Sequence, residues 1–82
     1  MVTLKNVTKT NNILTTDYYP EGDQSDLGHI EYDVLTDEVK NIRYCKEDEN
    51  SFLKAYAYKS ILAIKEILEQ NTLPKNYVYM WY

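Results

Sequence analysis

Residues 51–70 read SFLKAYAYKSILAIKEILEQ, and this stretch decides the fold because it is the one run with sustained helical periodicity. At about 100° per residue, Leu53, Tyr56, Ala57, Ile61, Ile64, Ile67 and Leu68 fall on one broad face, while Lys54, Lys59, Lys65, Glu66, Glu69 and Gln70 lie beside or opposite it. A lone amphipathic helix draws most of its stability from the surface it packs against. The rest of the chain must supply that surface. Upstream, Glu47-Asp48-Glu49-Asn50 places acids and a capping amide where a helix N-terminus carries partial positive charge, so the helix is expected to begin near Ser51. Downstream, Leu73-Pro74-Lys75-Asn76 breaks it, with the end expected at Asn71 or Thr72.

Everything before the helix has the residues of strands. Val2 to Val7 and Ile13 to Tyr19 are rich in β-branched and aromatic residues, and Thr10-Asn11-Asn12 between them tolerates positive φ, so the two read as a hairpin. Pro20 ends the second strand, and Glu21 to Gly28 is a polar loop with a glycine near each end. Ile30, Tyr32 and Val34 then alternate with Glu31 and Asp33. A turn at Thr36-Asp37 or Asp37-Glu38 leads into Val39 to Tyr44, where Val39 and Ile42 are out of phase and predict a bulge near Lys40-Asn41. After the helix, Tyr77 to Tyr82 reads Tyr-Val-Tyr-Met-Trp-Tyr, a strand with no polar face. The order β-β-β-β-α-β predicts an α+β fold, an antiparallel four- to five-stranded sheet with one long helix packed on one face. A helix running back along a four-strand meander delivers the last strand antiparallel beside the first, giving the order 5-1-2-3-4; a right-handed crossover to strand four is the alternative.

Eighty-two residues make one small domain, 1–82, with a thin core. Two glycines and two prolines, with 44% hydrophobic and 27% charged residues, are the composition of a folded chain. Cys45 is the single cysteine, which excludes an internal disulfide and fits a reducing cytoplasm. The start lacks the apolar core of a signal peptide and no apolar run is long enough to cross a membrane, so a cytoplasmic protein with no membrane partner is expected. Asn6-Val7-Thr8 matches the glycosylation pattern, but without an export signal the match carries no weight. The net charge of −4 is unevenly spread: residues 10–39 hold eight acids and no Lys or Arg, the remainder nine bases against five acids. Such a block is ordinarily a solvated loop and sheet face, although it also orients charged partners.

Asp17-Tyr18-Tyr19-Pro20-Glu21-Gly22, Gly28 with Ile30 just after it, and the Met80-Trp81-Tyr82 ending after Pro74 carry a resemblance that spans nearly the whole chain. The sequence resembles a group of short uncharacterised proteins of Gram-positive bacteria and their prophages. That resemblance implies a bacterial, cytoplasmic setting and lends no activity, cofactor or catalytic residue.

Individual constellations point away from catalysis. His29 with Ser25 and Asp26 has triad residue types, but all three sit in or beside one polar loop, and a surface histidine at a strand start is the simpler reading. An EF-hand register from Asp23 would put Val34 where the bidentate glutamate belongs, and one Cys with one His cannot build a structural zinc site, so neither metal nor cofactor is expected. Cys45 lacks an evident base and reads as a half-buried structural thiol. Acid pairs among Glu31, Asp33 and Glu38 arise by chance in so acidic a segment.

Two surfaces suit binding instead. Ala55, Tyr58 and Leu62 form a secondary apolar patch on the helix, away from the centre of its main face, suited to a protein partner or a weak homodimer. Tyr77, Tyr79 and Trp81 share one side of the last strand; if Val78 and Met80 face the helix, those rings form an aromatic sheet surface, and in the opposite phase Trp81 is buried beneath the helix. The expected function is a small non-enzymatic protein-interaction module. A nucleic-acid binder or DNA mimic is one alternative, though net negative charge opposes phosphate binding, and an enzyme is the other, against which the constellations above weigh.

Overall fold

The computed structural model describes residues 1–81. Its strands are β1 (Val2–Thr10), β2 (Ile13–Pro20), β3 (Gly28–Asp33), β4 (Glu38–Arg43) and β5 (Tyr77–Tyr79), with a short helix α1 (Lys46–Glu49) and the main helix α2 (Ala55–Leu68) between β4 and β5. The five strands form one sheet in the order β4-β3-β2-β1-β5, every pair antiparallel. The expected order 5-1-2-3-4 is the one adopted. β5 ends at Tyr79, short of the expected strand end at Tyr82, which lies outside the described residues.

Alternation sets the two faces, and bulges repair it where the sequence breaks phase. Val2 and Leu4 pair with Pro20 and Tyr18, and with Tyr79 and Tyr77, on the side covered by α2. Val7 is an odd number of positions beyond Leu4, yet it is also buried. The register with β2 shifts between Lys5 and Thr8, and Asn6 takes φ +57°, so one extra residue in β1 turns Val7 inward. On β4 the expected bulge is present: Glu31 pairs with Asn41 but Tyr32 with Val39, leaving Lys40 as the extra residue and bringing Ile42 and Val39 to one face.

The core joins Val2, Leu4, Leu14, Tyr18, Ile30 and Tyr32 of the sheet to Ala57, Ala63, Ile64 and Ile67 of α2, with Cys45 between them. Small residues at 57, 60 and 63 let the helix lie close to the strands, and the buried Ser60 hydroxyl is satisfied by donating to the Tyr56 carbonyl at 2.7 Å. Ile61 and Leu68 flank this line half-buried.

The helix start differs from expectation. Residues 51–54 are not helical, Leu53 is 77% exposed, and Lys54 before Ala55 adopts the left-handed conformation at φ +51°. Leu53 satisfies helical periodicity, one turn before Ala57, but it does not join the core face. The reason is Asp48. Its carboxylate, fully buried, accepts from the amides of Tyr56 (3.1 Å) and Ala57 (2.8 Å) and so occupies the N-terminal end of α2 from a separate helical turn. Of the acids before residue 51, Asp48 caps the helix, across an intervening loop.

Candidate interaction surface

The loop at residues 50–54 is built by two aspartates. Asp26, in the β2–β3 connection, accepts from the amides of Lys46 (2.6 Å) and Glu47 (3.0 Å) and starts α1. One turn of α1 then directs Asp48 inward, where its Oδ2 also accepts from the Tyr18 hydroxyl at 2.7 Å. That hydroxyl accepts in turn from the Cys45 amide at 3.1 Å. Three donors thus meet one buried carboxylate, two of them at the positive end of α2, and no buried side-chain polar atom among the described residues is left without a partner. Burial, followed by the hydrogen bond to Asp48, pushes the Tyr18 phenol far above its ordinary range.

With both ends anchored, the chain between them arcs outward. Lys54 closes the arc: its Nζ donates to the carbonyls of Ser51 (2.8 Å) and Glu49 (3.4 Å) and lies 5.4 Å from the centre of the Tyr44 ring. Phe52 and Leu53 are left 97% and 77% exposed. On the adjoining turn of α2, Tyr58 is 57% exposed while Ala55 and Leu62 are half-buried. Of the expected helix patch, Tyr58 is therefore the open member. Sequence reasoning placed Leu53 in the core and did not single out Phe52.

Tyr77, Tyr79 and Trp81 turn their rings to the α2 side, and Val78 takes the open face of β5. The phase that makes those three rings an open aromatic surface is not the one adopted. Trp81 packs edge-on against Tyr56 with centroids 5.9 Å apart, Lys59 Nζ lies 5.5 Å from the Trp81 ring, and the Tyr77 hydroxyl donates to Glu66 at 2.6 Å. That bond, more than burial, raises the Tyr77 phenol.

The polar candidates go to separate partners. His29 Nδ1 lies 2.7 Å from Asp17 on the open sheet face, Ser25 donates to Asp23 at 2.6 Å, and Asp26 caps α1, so the triad types do not converge. The Ser25 bonds hold Asp23 below the usual carboxylate range. Cys45 is fully buried, more than the half-buried thiol expected, and burial pushes its thiol up, away from the nucleophilic thiolate. Across the open face Lys5, Asp17, His29 and Arg43 stand in one cross-strand row. Among the described residues no group of three or more His, Cys, Asp or Glu side chains is placed to hold a metal ion, and no helix is long and apolar enough to cross a membrane. A groove of about 360 Å³ lies at the C-terminal end of α2, lined by Lys9, Val34, Ile67, Leu68 and Leu73 among others.

Comparison with protein-family models, with curated proteins and with solved structures finds no match to this chain.

Proposed function

We propose that this chain acts by binding another protein, in the bacterial or prophage setting that its sequence resemblance implies, and that Phe52, Leu53 and Tyr58 form the contact surface. One observation carries the reading: two large apolar side chains are held in water by a loop whose backbone is fixed at both ends and closed by Lys54. A loop that only connected two helices would gain by carrying polar residues there, because exposed apolar clusters invite aggregation. Charge placement supports protein over nucleic acid. Lys5 and Arg43 share their row with Asp17, and Glu31 and Asp33 stand on the same face, so acids interrupt the positive charge of that face.

The test is a photo-crosslinking residue placed at position 52 in living bacterial cells, with position 41 on β4 as control. A discrete protein adduct from position 52, absent at 41 and suppressed by Leu53→Asp, is expected. Adducts no more frequent at 52 than at 41 overturn the reading. Leu53→Asp should shift stability by less than about 0.5 kcal/mol, as for any surface change.

A further inference from the structure

The two edges of the sheet are built differently. β4 carries Glu38, Lys40 and Arg43 and is bulged at Lys40, and charge with a bulge is how an edge strand resists further pairing. β5 has neither protection. Neither β5 nor Met80 and Trp81 just after it carries charge, Val78 is 53% and Met80 62% exposed, and among the described residues β5 pairs with β1 alone. This edge and the flank of α2 above it do not involve Phe52 and so form a surface separate from the one proposed above.

We infer that a second copy of this chain adds to the sheet through β5, antiparallel, about a twofold axis at Tyr79. The level of the strand relative to the helix selects that axis. Lys59 lies over Trp81 and Glu66 bonds Tyr77, so Tyr79, midway between those two, is level with the helix position midway between Lys59 and Glu66. A twofold at Tyr79 exchanges the two ends. With Met80 and Trp81 drawn into the strand on association, it sets Val78 opposite Met80 of the second copy and Tyr77 opposite Trp81 of the second copy, and it brings each Lys59 level with Glu66 of the other molecule. Pairing at Val78 or at Met80 instead puts these charges out of step. The edge is thus self-complementary in three respects: backbone groups, exposed apolar side chains on the open face, and opposite charges on the flank of the helix. The result is a continuous ten-stranded antiparallel sheet with both α2 helices on one side, counting five strands from each copy. A contact this short belongs to the small class of interfaces, so the dimer is weak, with a dissociation constant on the order of 100 μM.

Sedimentation equilibrium of the full chain from micromolar to millimolar concentration tests this, and a monomer throughout overturns it. Val78→Lys and Met80→Lys, both at exposed positions, should each weaken the dimer at least about tenfold. Lys59→Glu and Glu66→Lys should each do the same, and the double exchange should restore affinity to within about threefold. A dimer indifferent to the Val78 and Met80 changes, or a double exchange that restores nothing, overturns the inference. In the unsubstituted chain, amide exchange at Val78 and Met80 should slow as concentration rises; no such slowing while dimer forms also overturns it. Phe52→Asp should leave the dimer intact. Loss of the dimer on that change, with Val78→Lys silent, would assign self-association to the loop and refute the β5 pairing alone.

Discussion

Gly28→Ala is the substitution that most sharply probes how this molecule is held together. Gly28 has no positive φ, so its backbone does not require glycine. Its neighbour does. Gly28 pairs with Tyr18 across β2 and β3, and a Cβ added there would stand 2.2 Å from Tyr18 Cε1, 2.5 Å from Cζ and 2.9 Å from the Arg43 carbonyl oxygen. The ring occupies the space that a side chain would fill. It cannot move without carrying its hydroxyl away from Asp48 and the Cys45 amide. Overpacking costs about 1–3 kcal/mol, and the loss of a buried hydrogen bond to a charged group about 1.5–3 kcal/mol more. The sum, about 2.5–6 kcal/mol, is comparable to the whole stability of a domain this small, about 5 kcal/mol. Urea unfolding followed by circular dichroism should therefore show Gly28→Ala partly unfolded without denaturant. The two contributions separate in a cycle with Tyr18→Phe, which keeps the ring and removes the hydroxyl: there the Gly28→Ala penalty should fall to the steric part, about 1–3 kcal/mol. A penalty below about 1 kcal/mol in the parent chain, or an undiminished one in the Tyr18→Phe background, would refute the reasoning.

Asp48→Asn presents an amide where two amides and a hydroxyl donate, so at least one of these loses its acceptor; a loss of about 2–4 kcal/mol is expected, with exchange at the Tyr56 and Ala57 amides accelerating before the rest of α2. Asn6→Gly should be tolerated within about 0.5 kcal/mol, whereas Asn6→Val should cost more than about 1 kcal/mol, because a β-branched residue resists the φ of +57° that turns Val7 inward; thermal melts compare the two. Burial first, and then the hydrogen bond to Asp37, pushes the Tyr32 phenol up to about 12 from its ordinary 10. Above about pH 10 the unfolded chain releases that proton while the folded chain keeps it, so stability, full below pH 10, declines as pH rises through the folded value. Denaturant midpoints measured from neutral to alkaline pH should fall accordingly, with a shallower fall in Tyr32→Phe.

Much of the architecture was legible because it rests on local periodicity. Alternation at Ile30, Tyr32 and Val34 marks β3, the phase break between Val39 and Ile42 marks the bulge at Lys40, and a helix following four strands leaves the free edge of β1 for the last one. What escaped depends on side chains far apart in sequence. The spacing of Leu53 from Ala57 is that of a helix, and nothing local distinguishes it from a core position. What removes it from the helix is Asp48, whose value as a cap depends on Tyr18, thirty positions earlier in the chain. Tyr18 itself sits beside Tyr19, and only strand phase, with glycine opposite, sends one ring inward and the other out. The phase of β5 was undecidable for a similar reason: Tyr, Val, Met and Trp are all apolar enough for either face. It is pairing with Val2 and Leu4 that commits Tyr77 and Tyr79 to the helix side.

The buried network and the exposed loop are one construction. Asp48 reaches the end of α2 only if the chain leaves α1, makes an excursion, and returns at Ala55, and the return passes through a lysine in the left-handed region, at a cost of about 1–2 kcal/mol relative to an ordinary conformation. Glycine or asparagine would occupy Lys54 with less strain. Lysine is instead used there as a clasp, its ammonium drawn to two carbonyls of the same loop and to the Tyr44 ring. A tether whose only task was to join two helices would have no need of that clasp. Strain of this kind persists where the surrounding structure over-determines it, and it concentrates at positions whose shape matters to a partner. Here the shape it maintains is the outward display of Phe52 and Leu53. On the function proposed above, the stability that Asp48 and Tyr18 supply holds Phe52 and Leu53 outward, and a contact surface so held would lose less order on binding than a flexible loop of the same composition.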